Sequence, residues 1–182
     1  MGACSVLQVK RMRHSFQTEQ WLPYPREGVF AFFADPGNLP PLMPGWQRAR
    51  VEKANYVSPP EAPSTGRVVA GQGSLMTISF RAVPLIPVRL EWDAYIAEFH
   101  WDEYFCDEQR RGPFKYFRHC HRVSDEVRDG VTGCVVRDAV EYELPLGMLG
   151  DLANGLVVGR QIRLLFAHRQ KMLPALLAAT RS

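Results

Sequence analysis

GPFKYFRHCH, Gly112 to His121, followed after a polar turn by VTGCVVRDAVEYELPL, Val131 to Leu146, is the part of the chain that decides the fold. Both pieces have strand length and alternate apolar with polar side chains, so they read as neighbouring antiparallel strands of a half-apolar sheet. Alternation groups Lys115, Phe117, His119 and His121 on one face, and Tyr116, Arg118, Cys120 and Arg122 on the other. The second group carries more charge, which assigns Phe117, His119 and His121 inward. Aromatic rings beside a few polar groups are what a cavity for a partly apolar small molecule needs: area to bury and a group to orient the ligand.

Upstream, Gly73 to Ala82, Val88 to His100 and Trp101 to Arg110 are further strand-length pieces separated by proline and glycine turns, an antiparallel meander with no βαβ rhythm. His14 to Leu22 reads as a first strand, and Pro25 to Ala34 as a short helix with Val29, Phe30 and Phe33 at helical spacing. Leu39 to Trp46 allows at most a second brief helix because of its prolines. Val57 to Gly66 reads as a long hairpin loop, and the glycines of Gly66 to Gly73 mark a hairpin bend, since they lack a phosphate-loop pattern.

Downstream the period changes. From Gly147 to Ala179, Leu149, Leu152, Leu156, Val158, Ile162, Leu165, Phe166, Met172, Leu173 and Leu176 recur at mostly three- and four-residue steps, an apolar stripe able to cover a sheet, with a kink or end expected near Pro174. The class is therefore α+β: a curved antiparallel sheet of about seven strands wrapped around a long C-terminal helix, with two short helices after the first strand.

Composition fits one substantial core. The 182 residues are 46% apolar, which leads to a single domain over 1–182 with its core from about 14 to about 177. A net charge of +3 without an aromatic-basic repeat argues against nucleic acid as a partner. From Gly155 onward the basic residues Arg160, Arg163, Arg169, Lys171 and Arg181 have no acidic neighbour, and they read as a solvated helix face, with peripheral membrane contact as the alternative. No run is long enough to span a membrane, the first twenty residues lack a secretory pattern, and Val6 stands where a myristoylation site needs serine or threonine. Cys4, Cys106, Cys120 and Cys134 show no metal-ligand spacing, so reduced thiols and a cytoplasmic location are expected.

This order resembles the helix-grip fold of the START and Bet v 1-like superfamily, including polyketide cyclase-like and coenzyme Q-binding proteins. The resemblance is carried by WLPYPREGVFAFFADPGNLPPLMPGW at Trp21 to Trp46, RGPFKYFRHCHRV at Arg111 to Val123 and VVRDAVEYELPLGMLGDLAN at Val135 to Asn154. It implies an internal cavity for a hydrophobic molecule such as a lipid, isoprenoid or polyketide, and it does not specify a reaction.

Asp138 shares a face with Val136, Val140 and Tyr142, whereas Glu141 and Glu143 share one with Arg137, so Asp138 is the better interior partner for a histidine. His119, His121 and Asp138 are the candidate catalytic residues, and Trp92, Phe117, His119, His121 and Tyr142 the candidate ligand walls. The histidines read first as satisfied interior groups, with ligand contact or acid–base work as the alternative. No cofactor and no metal is expected, because no recognisable spacing supplies a third ligand to two imidazoles on one strand. Carriage of a hydrophobic small molecule leads, followed by a cyclase- or dehydratase-like enzyme and by a protein-interaction module.

Overall fold

The computed structural model describes residues 13–61, 68–84 and 87–180. Seven strands form one sheet: β1 (His14–Leu22), β2 (Arg50–Asn55), β3 (Leu75–Arg81), β4 (Arg89–His100), β5 (Tyr104–Arg111), β6 (Tyr116–Arg128) and β7 (Val131–Glu143). Their order is β1-β7-β6-β5-β4-β3-β2, with every neighbouring pair antiparallel. The helices are α1 (Arg26–Ala34), α2 (Leu39–Leu42), α3 (Met148–Ala153) and α4 (Gly159–Ala179), the last two joined by a π-helical turn at Asn154–Val158. This is the helix-grip arrangement of the Bet v 1-like fold.

Local chemistry explains the frame. Asp129 and Gly130, with φ of 51° and 76°, close the β6–β7 hairpin in the left-handed conformation that an Asp-Gly pair favours in two-residue turns. β6 therefore runs to Arg128, seven residues beyond the His121 end of the stretch that decides the fold. Register shifts in the β4–β5 pairing at Asp93/Ala94 and Ile96/Glu98 bend the sheet, giving α4 a concave face to lie against. Phe166 of α4 reaches Phe16 of β1 at 5.0 Å between ring centroids.

Pro174 does not end α4. Proline lacks the N–H that would bond the carbonyl of Gln170, and Gln20 of β1 donates its side-chain N–H to that carbonyl instead, at 2.9 Å. The helix buries Ile162, Phe166, Arg169, Leu173 and Leu177. Leu152 and Leu156, read from the sequence as part of the covering stripe, are exposed. The π turn between α3 and α4 breaks the 3.6-residue phase, so the stripe ahead of it points away from the sheet. Arg169, read as part of a solvated basic face, is likewise turned inward.

β2 is absent from the sequence reading because RVEKAN is exposed at nearly every position and offers no apolar alternation. The cysteines also depart from the reduced thiols expected of them. Cys106 and Cys120 are directly opposed in the β5–β6 register and form a disulfide, while Cys134 is free and buried. Strand parity turns Cys120 away from the histidines, as expected, and that direction brings it to Cys106. No helix among the described residues is long and apolar enough to cross a membrane. Residues 1–12, the second half of the Val57–Gly66 loop, the middle of the Pro84–Pro87 turn, and Arg181 lie outside the described residues.

Candidate functional site

A cavity of about 270 Å³ lies between the helices and the concave sheet face. Its walls are apolar: Phe33 and Leu42 from the α1–α2 segment, Ile78 from β3, Trp92 from β4, and Ile162 and Phe166 from α4. Among the polar lining groups, Asp107, His119, His121 and Arg169 form one cluster, while Asp35, Asn38, Gln47 and Gln161 also line the cavity. β5, β6 and α4 deliver them, because Asp107 alternates with Phe105, His119 and His121 alternate with Phe117, and Arg169 follows Phe166 by one helical turn.

Asp138 of β7 lies directly behind this wall, 5% exposed, and ties it together. Its Oδ1 is 3.2 Å from His119 Nε2, 2.8 Å from His121 Nδ1 and 3.1 Å from Arg169 Nη2. Burial alone would raise the Asp138 carboxyl, but the Arg169 guanidinium and the two imidazole hydrogen bonds outweigh it and hold the group well below the usual carboxylate range. Burial also drives His121 down to about 3, helped by His119 and Arg169 and opposed by Asp138, so its ring is neutral at physiological pH. Asp107 is shifted the other way: burial raises it, with Asp138 adding to the rise and His119 and Arg169 opposing it.

The proton positions follow from the contacts. An ionised Asp138 only accepts, so His119 Nε2, hydrogen-bonded to its Oδ1, carries a hydrogen. Arg169 only donates, so in its 2.9 Å hydrogen bond with His121 the ring's Nδ1 accepts. The opposite nitrogens, His119 Nδ1 and His121 Nε2, face Asp107 Oδ1 at 3.7 and 3.9 Å. Asp107, His119 and His121 each bring one metal-ligating atom within 4.8 Å of the others. Rings enclose the cluster: Phe105 is 4.5 Å from His121, Phe33 stacks on His121 at 5.6 Å, and the Arg169 guanidinium lies over Phe33 at 4.5 Å.

The remaining sequence candidates separate. Trp92 lines the cavity and meets Phe117 edge-on at 4.4 Å, and its indole N–H has no hydrogen-bond acceptor among the described residues. Tyr142 is buried outside the lining. It donates to Asn154 Oδ1 at 2.6 Å, Asn154 Nδ2 donates to His14 Nδ1 at 3.0 Å, and His14 Nε2 donates to Asp151 at 3.0 Å. That chain ties α3 and the π turn to β1 and β7, so Tyr142 is an anchor here and not a ligand wall. Asp107 and Arg169 were missed in the sequence. The signal for Arg169 is its place on the buried stripe Phe166, Arg169, Leu173, Leu177.

A curved antiparallel sheet gripping a long helix over an apolar cavity defines the helix-grip class of proteins, many of which hold hydrophobic molecules. Within it, the chain belongs to the polyketide cyclase / dehydrase and lipid transport family, whose pattern matches residues 22–166. Among solved structures, TTHA0849 from Thermus thermophilus aligns over 93% of this chain and 100% of its own, with 18% identity and a TM-score of 0.63. Norcoclaurine synthase from Thalictrum flavum, solved with dopamine and hydroxybenzaldehyde, aligns over 95% and 93%, with 16% identity and a TM-score of 0.57. Ara h 8.0201 aligns over 92% and 99%, with 14% identity and a TM-score of 0.60. These identities establish the shared fold and nothing finer. No curated protein matches the chain.

Proposed function

We propose that the protein binds a small, mostly apolar molecule in this cavity and orients it by one polar group set against Asp107, His119, His121 and Arg169. The observation that carries the reading is a lining that is apolar over most of its residues and holds one cluster of buried charged and imidazole groups. At about 270 Å³ the cavity lies just below the usual span of ligand pockets, roughly 300–1,000 Å³. That size suits a molecule of one or two rings better than a long acyl chain. The family, which covers both cyclase / dehydrase activity and lipid transport, agrees with an apolar ligand.

Native mass spectrometry of protein purified gently from its own host, followed by extraction of whatever is released, is expected to yield a discrete apolar compound. Ala94→Trp, which places a large ring in the cavity wall, is expected to emerge empty. Protein that remains empty after exposure to a broad apolar metabolite extract would overturn the reading.

Acid–base catalysis is the second reading, and one observation favours it: Asp138 accepts from His119 Nε2 and so fixes the ring of a cavity-lining imidazole, whereas His121, driven down to about 3, is too weak a base to serve. An imidazole oriented in this way would serve a cyclisation or dehydration that begins with removal of a proton beside a carbonyl. Once a turned-over compound is in hand, His119→Gln is expected to abolish the reaction while ligand affinity survives. Unchanged turnover in that variant would remove this reading and leave the carrier reading intact.

A further inference from the structure

We propose that Asp107, His119 and His121 form a binding site for a divalent first-row transition metal ion, of the zinc or ferrous type, with its open coordination positions facing the cavity. Asp107 Oδ1, His119 Nδ1 and His121 Nε2 face one another: the two ring nitrogens stand 3.7 and 3.9 Å from the carboxylate, too far for hydrogen bonds. The three residues line the cavity and each brings one metal-ligating atom within 4.8 Å of the others.

The spacing suits a cation. Donors about 2.0–2.2 Å from a tetrahedral ion stand about 3.4 Å from one another, so the two contacts to Asp107 need to close by a few tenths of an ångström, and the imidazole pair, within 4.8 Å, by about an ångström or more. Two imidazoles and one carboxylate, with no thiolate, form a donor set suited to zinc or non-haem iron, and they come from paired strands that hold them in place. Asp138 fits as the outer partner: its Oδ1 takes the second N–H of His119 and lies 2.8 Å from His121 Nδ1, the nitrogen that would carry the hydrogen once Nε2 holds the ion. Charge also balances. Asp107 and Asp138 against Arg169, with neutral imidazoles, leave one buried negative charge; a divalent ion turns this to one positive charge, which an anionic group on the bound molecule would cancel.

Metal binding does not depend on what the cavity carries, so it is tested without a ligand. The full chain, free of any tag and stripped with chelator, is titrated with cobalt(II) chloride and followed by visible absorption, then with zinc chloride by calorimetry. One ion per chain is expected to bind saturably, with the absorption of a four- or five-coordinate cobalt centre that zinc abolishes. Asp107→Asn and His119→Gln are each expected to weaken binding by at least about tenfold, and Asp138→Asn by about 10–100-fold through loss of the outer hydrogen bonds. Absence of saturable binding, or affinity unchanged in Asp107→Asn and His119→Gln, overturns the proposal. X-ray absorption on the zinc-loaded unsubstituted protein provides a test that does not require the variants to fold. Two imidazoles in the coordination shell are expected, and a shell without imidazole overturns the assignment.

Discussion

The two faces of strands β4 to β7 carry the same residue types and put them to opposite uses. Outward, Arg118 bridges Glu98 at 2.8 Å and Glu108 at 2.7 Å, and Arg111 bridges Glu91 at 2.9 Å and Asp93 at 2.8 Å. Inward, Asp107, His119, His121, Asp138 and Arg169 meet at comparable distances but out of water. On the outer face the pairs remain partly hydrated and screened, so each is worth little. On the inner face removing one member strands the others in a medium that cannot solvate them. Burial, rather than residue type or distance, is what turns an ordinary ion-pair ladder into a candidate site.

The sharpest way to break the inner network is Asp138→Ala, which leaves the Arg169 guanidinium buried without its carboxylate. A loss of about 3–5 kcal/mol is expected in urea unfolding. A loss below about 1 kcal/mol would place this network in the same energetic class as the outer one. Cys120→Ala removes the bond between the backs of β5 and β6, across a sequence separation of 14, and is expected to cost about 3 kcal/mol. A reducing agent should reproduce that loss in the unsubstituted protein and add nothing in the variant.

A third test uses Cys134, enclosed on β7, whose thiol burial pushes up to about 11, with Asp125 and Asp102 adding to the rise. A group whose folded-state value is raised contributes stability that is complete below its unfolded value, near 9, and is lost as pH climbs through the folded one. Stability should therefore fall between pH 9 and 11 by roughly 2–3 kcal/mol more in the unsubstituted protein than in Cys134→Ala. Equal alkaline profiles would show that the thiol is reached by solvent. The smallest effect belongs to the outer face: Arg118→Ala is expected to cost no more than about 1 kcal/mol, and less in molar salt. A salt-independent loss of several kcal/mol there would erase the contrast between the faces.

Strand alternation carries a definite amount of this. It placed Phe117, His119, His121 and Asp138 on one inner surface because each strand has an apolar face, and side-chain direction then follows from position alone. Asp107 was out of reach: its neighbour His119 is distant in sequence, and only the register of β5 against β6 brings the two together. Cys106 and Cys120 were hidden for the same reason. Arg169 was lost in a count of basic residues, although its place between Phe166 and Leu173 on one helical stripe contains the signal. β2 carries no pattern because, apart from the half-buried Val51, its residues are exposed, and the outward turn of Leu152 and Leu156 depends on a π turn that no apolar period announces.

The disulfide has a meaning for assembly as well as for stability. Cys106 and Cys120 each sit one residue from a member of the polar wall, Asp107 on one strand and His119 and His121 on the other. A slip of one residue in the β5–β6 pairing would send those side chains to the solvent side and at the same time pull the two sulfurs apart. Among paired arrangements of the two strands, the register that aligns the wall is thus the one that brings the sulfurs together. The cross-link works as a proofreader: it reads correct alignment from behind the sheet and then makes it permanent.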